Sequence, residues 1–441
     1  MSFENNKIIE SYLNDVVSYI KNKDAHDEVK LEVQSHILDI YYELIDSGNS
    51  KEDSINISIS RIGNPKDLGL KLNKVHKSRP DYISIALIIG IIAIGLISTF
   101  SLTYNNIISK STMLTNISSI IIGSILAISI YFFDYRKIKN YSYKFYILTL
   151  LIMIILFIID NLNGYVINGV LALSSKFSLL IVICFLISLS SIINQLNLSK
   201  IKNMFILGVL SFIPFIFQLL IPRLTLSLFY ILTLSFIILK NINWRKNILQ
   251  IITTLMATIT ITGLFIIRNP YRIRAILSEM PLFFNIPGQE LGGGYLQLQS
   301  MKILSGSSIL GKGFDNSITN NIPISELSNN LIFTYIVHSF GWLLAIITIL
   351  LMIVFLIRNF IISSKVEDNF GRDIVFLTVT MLSFQFIVTI LYSIGASAFT
   401  YGIPFVSIGS INTLTNCMLI GLLSSVYRRR NLHSKSSLRL I

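Results

Sequence analysis

Tyr82 to Thr103 reads YISIALIIGIIAIGLISTFSLT, without one Asp, Glu, Lys or Arg. A run of that length and apolarity matches the ~20 residues that carry an α-helix across a bilayer. It opens a series. Working outward from it, the sequence predicts ten spans, at about 82–103, 112–133, 145–159, 177–194, 203–221, 224–240, 247–267, 328–357, 374–394 and 405–427. The expected fold class is all-α, a polytopic membrane protein with ten transmembrane helices preceded by a small cytosolic helical bundle.

Composition agrees with that reading. The 441 residues are 53% hydrophobic and only 13% charged, whereas soluble chains carry about a quarter charged residues. The net charge of +13 is unevenly spread: residues 1–80 hold 11 basic and 13 acidic side chains, leaving all of the basic surplus to the apolar remainder. A basic surplus on a hydrophobic chain suits anionic lipid headgroups, so nucleic acid is not an expected partner. Cys184 and Cys417 both lie inside apolar runs, which excludes a disulfide scaffold and a cysteine-rich metal site. No cleavable signal peptide is expected, because the first apolar run begins behind a long charged segment.

Short loops set the orientation. Arg136, Lys137, Lys139 and Lys144 follow the second span, Lys200 and Lys202 the fourth, Lys240, Arg245 and Lys246 the sixth, and Arg358, Lys365 and Arg372 the eighth. The alternate loops carry little basic charge, so both termini are expected in the cytoplasm. The one long loop, 268–327, then falls outside, and residues 431–441 form a basic cytosolic tail.

Residues 1–80 read as a separate water-soluble helical module. Ile8, Ile9, Leu13, Val16, Val17 and Ile20 recur at helical spacing, as do Val29, Leu31, Val33, Ile37, Leu38, Ile40 and Leu44. Gly48 stops the second helix, Ser50 with Asp53 starts a third in the manner of a capping box, and Gly63, Asn64 and Pro65 turn into a fourth.

The acids expected on the outer side are Asp160, Glu279, Glu290, Asp315 and Glu326. Glu326 stands at the entrance of the eighth span, and Asn330, four positions on, shares its helical face. It reads either as a general base or as an acid favoured by a helix start. Arg268, Arg272 and Arg274 stand on the outer side against the charge bias, where arginine suits a lipid diphosphate or the headgroups at large. Gly292, Gly293, Gly294, Gly306, Gly311 and Gly313 make the long loop glycine-rich, with neither the lysine-threonine or lysine-serine pair of a phosphate-binding loop nor the strand of a dinucleotide fold beside them. Gln218, His338, Gln385, Asn412 and Asn416 are expected to hydrogen-bond between helices.

The second half resembles the SEDS family (FtsW/RodA/SpoVE) of bacterial wall synthesis. Asn269 to Arg274 are similar to its basic PYR segment. GYLQLQSMKILSGSSILGKGFDNS, Gly294 to Ser317, follows its GYQ..QS…G..G.G…NS pattern with Gln299, Ser300, Gly311, Gly313, Asn316 and Ser317 in register. Phe370, Gly371 and Arg372 resemble its FGR loop, Phe384 and Gln385 its FQ, and PFVSIGS, Pro404 to Ser410, its PFISYGGS. The resemblance covers about 81–430. Residues 1–80 separately resemble the helical prefix domain of some bacterial permeases, through Glu32, His36, Asp39, Gly48 and the Gly63 to Pro65 turn.

The resemblance implies a peptidoglycan glycosyltransferase of cell division and cell shape. It would polymerise lipid II, an undecaprenyl-diphosphate-linked disaccharide peptide, at the bacterial plasma membrane beside a transpeptidase (penicillin-binding protein) partner; the sequence itself points to no cofactor and gives no evidence for a bound metal. It further implies substrate binding by Arg272, Arg274, Gln299, Ser300 and Ser407. The family's catalytic aspartate lies in a PE..TDFIF segment; here SELSNNLIF, Ser325 to Phe333, keeps Glu326 and puts Asn330 at the aspartate's place, so the catalytic position is degenerate. Other charged positions change too, at Ile167 to Gly169, Ser174 to Leu180 and Pro222 to Leu226. Two further readings are carried forward: a catalytically inactive paralogue that binds lipid II or a partner and regulates wall synthesis, and a transporter of a lipid-linked precursor.

Overall fold

The computed structural model describes residues 6–75, 80–162, 166–167, 170–198, 200–220, 224–241, 270–284, 292, 294–313, 318–319 and 322–430. They form two compact units, one of residues 1–80, 365–368 and 426–441, the other of 81–364 and 369–425.

The first unit is built on four helices: α1 (Lys7–Ser18), α2 (His26–Asp46), α3 (Lys51–Ile62) and α4 (Pro65–Val75). Its core gathers Ile9, Leu13, Val16, Val17, Val29, Val33 and Ile37, with Ile55, Ile59, Leu68 and Leu72 packed against them. The caps follow the residue types: Ser50 Oγ accepts the Asp53 backbone N–H at 3.2 Å, and Gly48 and Gly63 adopt positive φ. Gly69 lets α4 approach α1, since a Cβ there would come 2.5 Å from the Val16 carbonyl oxygen. Ile8 and Leu31, read from periodicity as core, face outward. Arg428 and Arg429 both meet the Asp24 carboxylate in this unit, at 3.2 and 3.1 Å.

The second unit holds α5 (Tyr82–Tyr104), α6 (Lys110–Phe132), α7 (Arg136–Asn140), α8 (Ser142–Leu162), α9 (Ala172–Ile193), α10 (Ile201–Leu220) and α11 (Leu224–Asn241). It continues with α12 (Pro270–Ser278), α13 (Tyr295–Ser305), α14 (Ile324–Ser328), α15 (Ile332–Ser363), α16 (Asn369–Ser393) and α17, which begins at Ser410. Val166–Ile167 and Val170–Leu171 pair as a small antiparallel ladder. Among the described residues six helices are long and apolar enough to cross a membrane: α5, α6, α8, α9, α15 and α16. α10 and α11 are shorter apolar helices at the fifth and sixth expected spans, and the seventh, 247–267, lies outside the described residues.

Helices in hydrocarbon must satisfy their polar groups internally, and the ties here are of that kind. α5 and α15 run antiparallel and are joined at both ends, by Arg358 with Asp81 at 2.5 Å and by Ser101 with Tyr335 at 2.7 Å. Gln385 and Asn416 exchange side-chain amide bonds at 3.1 and 3.3 Å, as expected for buried polar residues of neighbouring helices. Asp160, fully buried, accepts the Leu173 and Ser174 backbone N–H groups at 2.9 and 2.6 Å and so caps the start of α9. Asp373, also fully buried, pairs with Lys240 and accepts from Asn194 at 2.7 Å and Ser190 at 3.1 Å, which binds α9, α11 and α16 together.

α15 is two helices end to end. Gly341, at φ +81 and ψ 176, breaks it, and the glycine-rich stretch of the long loop fills the break. Lys312 and Gly313 donate to the His338 and Ser339 carbonyls at 2.9 Å, while Trp342 and Leu343 donate to Ser308 and Ile309 at 3.3 and 3.2 Å. The approach excludes side chains: a Cβ on Gly311 would lie 2.4 Å from the Gly341 nitrogen, and one on Gly341 2.1 Å from the Ile309 carbonyl oxygen. Gly311 is therefore a docking glycine, whereas Gly313 has open space around it and is distinguished by its positive φ of +70. This arrangement holds the start of α15, and α14 before it, in place.

Candidate functional site

α14 is a single turn that presents Glu326. Its backbone unwinds after Ser328, with Asn329 at φ −124 and ψ −79, and the Glu326 carbonyl accepts from Asn329 and Leu331 at 3.3 and 2.7 Å. The Asn330 side chain still returns to Glu326: its Nδ2 donates to Oε2 at 2.8 Å. The expected sharing of a face is thus realised as a hydrogen bond, in which the amide donates and the carboxylate accepts.

The segment Gly402 to Ile408 locks onto this turn. Ser407 Oγ accepts the Ile403 N–H at 2.7 Å and donates to the Asn329 carbonyl at 2.9 Å, and Ile408 N–H donates to the Ser328 carbonyl at 2.9 Å. Phe405 takes φ +65, an uncommon conformation for a bulky residue, and Gly402 takes φ +79 with Asn329 Oδ1 lying 2.8 Å from where a Cβ would stand. Ser407 is therefore a fastener between the loop and the turn that carries Glu326.

The chain after α12 closes a second side. Leu282 N–H donates to the Gly395 carbonyl at 3.0 Å, and Pro281 and Met301 pack where a Gly395 side chain would be. Glu279 lies on this segment. It is half-buried and makes no hydrogen bond among the described residues, and burial, with the Glu326 charge second, pushes its carboxyl up to about 7. Tyr392, at the end of α16 and 6% exposed, lies in the field of both carboxylates.

α13 supports the floor. Ser300, fully buried, shares a hydrogen bond with Thr334 at 2.6 Å and donates to the Ser393 carbonyl at 2.6 Å, joining α13, α15 and α16. Gln299 is partly exposed on the same helix, and Gln297 is fully buried with both side-chain polar atoms unpaired. Arg274 stands exposed on α12; Arg272 lies in that helix, and its side chain is outside the described residues. Arg268, Asn316, Ser317, Asn168 and Arg223 are also outside them.

The structure thus brings Glu326, Asn330 and Ser407 into direct relation and ties Ser300 to the helices behind them. Glu279 was one acid among several in the sequence, and nothing local set it beside Glu326. Tyr392 gave no signal, being one aromatic residue in an apolar run. Together these groups offer two carboxyls, one of them engaged by an amide, with a largely buried phenol in the field of both. Such a pair can take or give a proton near neutral pH.

The profile of the FtsW/RodA/SpoVE cell cycle proteins matches residues 81–432. The chain belongs to this family. Among its relatives, the probable peptidoglycan glycosyltransferase FtsW of Buchnera aphidicola subsp. Baizongia pistaciae is 31% identical over 216 residues, 47% of this chain and 53% of that one. The FtsW of Borreliella burgdorferi is 25% identical over 45% of this chain and 53% of its own, and that of Wigglesworthia glossinidia brevipalpis 26% over 64% and 74%. The chain therefore spans about half the length of several curated relatives it matches. The fold is shared with a chain from a peptidoglycan synthase complex that coordinates polymerization and crosslinking, at TM-score 0.61 and 18% identity over 80% of this chain and 99% of that one. Thermus thermophilus RodA, the rod shape determining protein, superposes at TM-score 0.56 and 15% identity over 80% and 98%. Family and fold agree on a membrane protein of the cell cycle family.

Proposed function

We propose that this family member is a peptidoglycan glycosyltransferase that extends glycan strands from lipid II on the outer face of a bacterial plasma membrane. The observation that carries the reading is the Glu326 turn, held by Ser407 and set beside Glu279 within the fold that the family shares. The acceptor sugar hydroxyl attacks the anomeric carbon of the lipid-linked donor and the undecaprenyl diphosphate departs. The position of Glu326 and Asn330 marks where the hydroxyl proton is taken, and Arg272 and Arg274 on α12 hold the leaving diphosphate through charge-assisted hydrogen bonds. Gln299 lies toward the substrate from α13. Both termini are cytoplasmic, a transpeptidase works alongside, and the amino-terminal helices serve as a docking or regulatory module.

A second reading follows from Asn330. Its amide donates to Glu326 and cannot accept a proton, as expected of a paralogue that binds lipid II and regulates a working polymerase. Purified chain with a transpeptidase partner, supplied with lipid II in vesicles, separates the readings. Glycan polymer supports the transferase, bound but unpolymerised lipid II the regulator, and movement of lipid II between leaflets a transporter.

A further inference from the structure

The segment from Gly402 to Ile408, which fastens the Glu326 turn, rests on α5 along its other side. A Cβ on Gly95 would stand 2.3 Å from the Phe405 carbonyl oxygen and 3.0 Å from the Val406 Cα, so the backbone of the segment lies against the bare face of the helix. Phe405 holds φ +65 there, in the left-handed region that bulky residues rarely adopt, and it is buried together with Val406. Such a conformation persists only where its surroundings hold it from more than one side. On one side stand the Ser407 bonds to Ile403 and Asn329 and the Ile408 bond to Ser328. On the other stands Gly95.

α5 is itself fixed at this level. The Gly95 carbonyl accepts the Thr99 hydroxyl at 2.8 Å, and Thr99 Oγ1 accepts from Asn116 Nδ2 of α6 at 3.0 Å, with all three residues buried. The ties of Asp81 to Arg358 and of Ser101 to Tyr335 join the same helix to α15, which continues the chain just after the Glu326 turn. Gly90, on α5 as well, has no comparable neighbour: a Cβ there would meet only Leu351 Cδ1, at an ordinary 3.5 Å.

We propose that Gly95 is a positioning residue for the transfer: its bare face seats the Phe405 carbonyl, and the seated segment holds, through Ser407 and Ile408, the turn that carries Glu326. This rests on the transferase reading. Gly95 acts through the 402–408 segment and meets no substrate. Alanine favours a helix over glycine, so a methyl group at position 95 harms only through the backbone it displaces. Displacing the Phe405 carbonyl removes one of the two supports of the left-handed residue, and the Ser407 and Ile408 bonds lose their fixed geometry with it.

The test compares full-length wild type, Gly95→Ala and the control Gly90→Ala, each with a transpeptidase partner and lipid II in vesicles. Gly95→Ala should lower kcat for glycan formation ~10- to 100-fold, as a displacement of about 1 Å at the reacting groups does, with KM for lipid II within about two-fold of wild type. Gly90→Ala should leave both constants unchanged. Amide hydrogen exchange gives a readout without substrate: in Gly95→Ala the Leu331, Ile403 and Ile408 amides should exchange ~10-fold faster while those of α6 and α16 keep their protection. Thr99→Val adds no bulk and frees the seat from α6, so it should move kcat and exchange in the same direction by about two- to ten-fold. It decides the matter where Gly95→Ala does not accumulate. An active wild type matched in kcat and in protection by the deciding variant overturns the assignment alone. Protection lost equally along α5, α6 and the 402–408 segment also overturns it, since general packing then accounts for the loss of rate. A wild type that forms no polymer overturns the transferase reading, and the role of Gly95 in transfer with it.

Discussion

Asn330 donates its side-chain amide to the Glu326 carboxylate at 2.8 Å, so the position where the resemblance leads one to expect an acid carries a donor. Asn330→Asp replaces that donor with a carboxylate. It should raise polymerisation several-fold, since a carboxylate can take a proton that an amide cannot. The measurement is the initial rate of glycan formation. An unchanged rate would remove Asn330 from the proton-handling site.

Arg272 and Arg274 are two positions apart on α12, next to the segment that carries Glu279. Replacing both with alanine should weaken lipid II binding by several-fold or more, as expected when charge-assisted contacts to a diphosphate are lost, and by less for a lipid that lacks the diphosphate. Equal loss for both lipids would identify the arginines as general headgroup contacts.

Asp81 and Arg358 clamp one end of the α5 and α15 pair. Burial works against the Asp81 charge, but hydrogen bonds from Arg358 and Ser84 outweigh it and hold the carboxyl below its usual value of 3.8. The stabilisation is present above that value and is lost as pH falls through the lower folded one. Asp81→Asn should cost about 2 kcal/mol at neutral pH, read as an earlier thermal transition in detergent, and the difference from wild type should shrink below pH 3.8.

Basic residues on alternate loops fix the expected topology. Reporters fused after Arg430 should behave as cytoplasmic, and those at Ser308 as external. The reverse pattern would place the Glu326 turn on the wrong face for an externally supplied lipid II.

The helices that are legible in the sequence are those whose signal is local. The long apolar runs give α5, α6, α8 and α9, and the turn residues Gly48, Ser50 and Gly63 mark the ends of the amino-terminal helices to within a residue or two. The break at Gly341 is hidden, because the apolar run continues through it and what fills it comes from an earlier loop. The site divides the same way. Glu326 with Asn330 could be paired by helical spacing. Glu279 and Tyr392 each lie three residues from the Leu282 to Gly395 contact, a relation between two loops that no periodicity encodes.

The docking of Ser308 to Gly313 into the Gly341 break has a consequence for biogenesis. The translocation machinery meets residues 332–357 as one run without a charged side chain, long enough to insert as a single helix. The loop that divides it is made first and has to wait outside the membrane until its partner arrives. Two half-helices are then the product of assembly, formed when the waiting loop offers its backbone to the exposed carbonyls and amides of the break. A bulky residue at Gly311 or Gly341 would leave insertion untouched and arrest the later step, giving a chain that reaches the membrane and is removed by quality control.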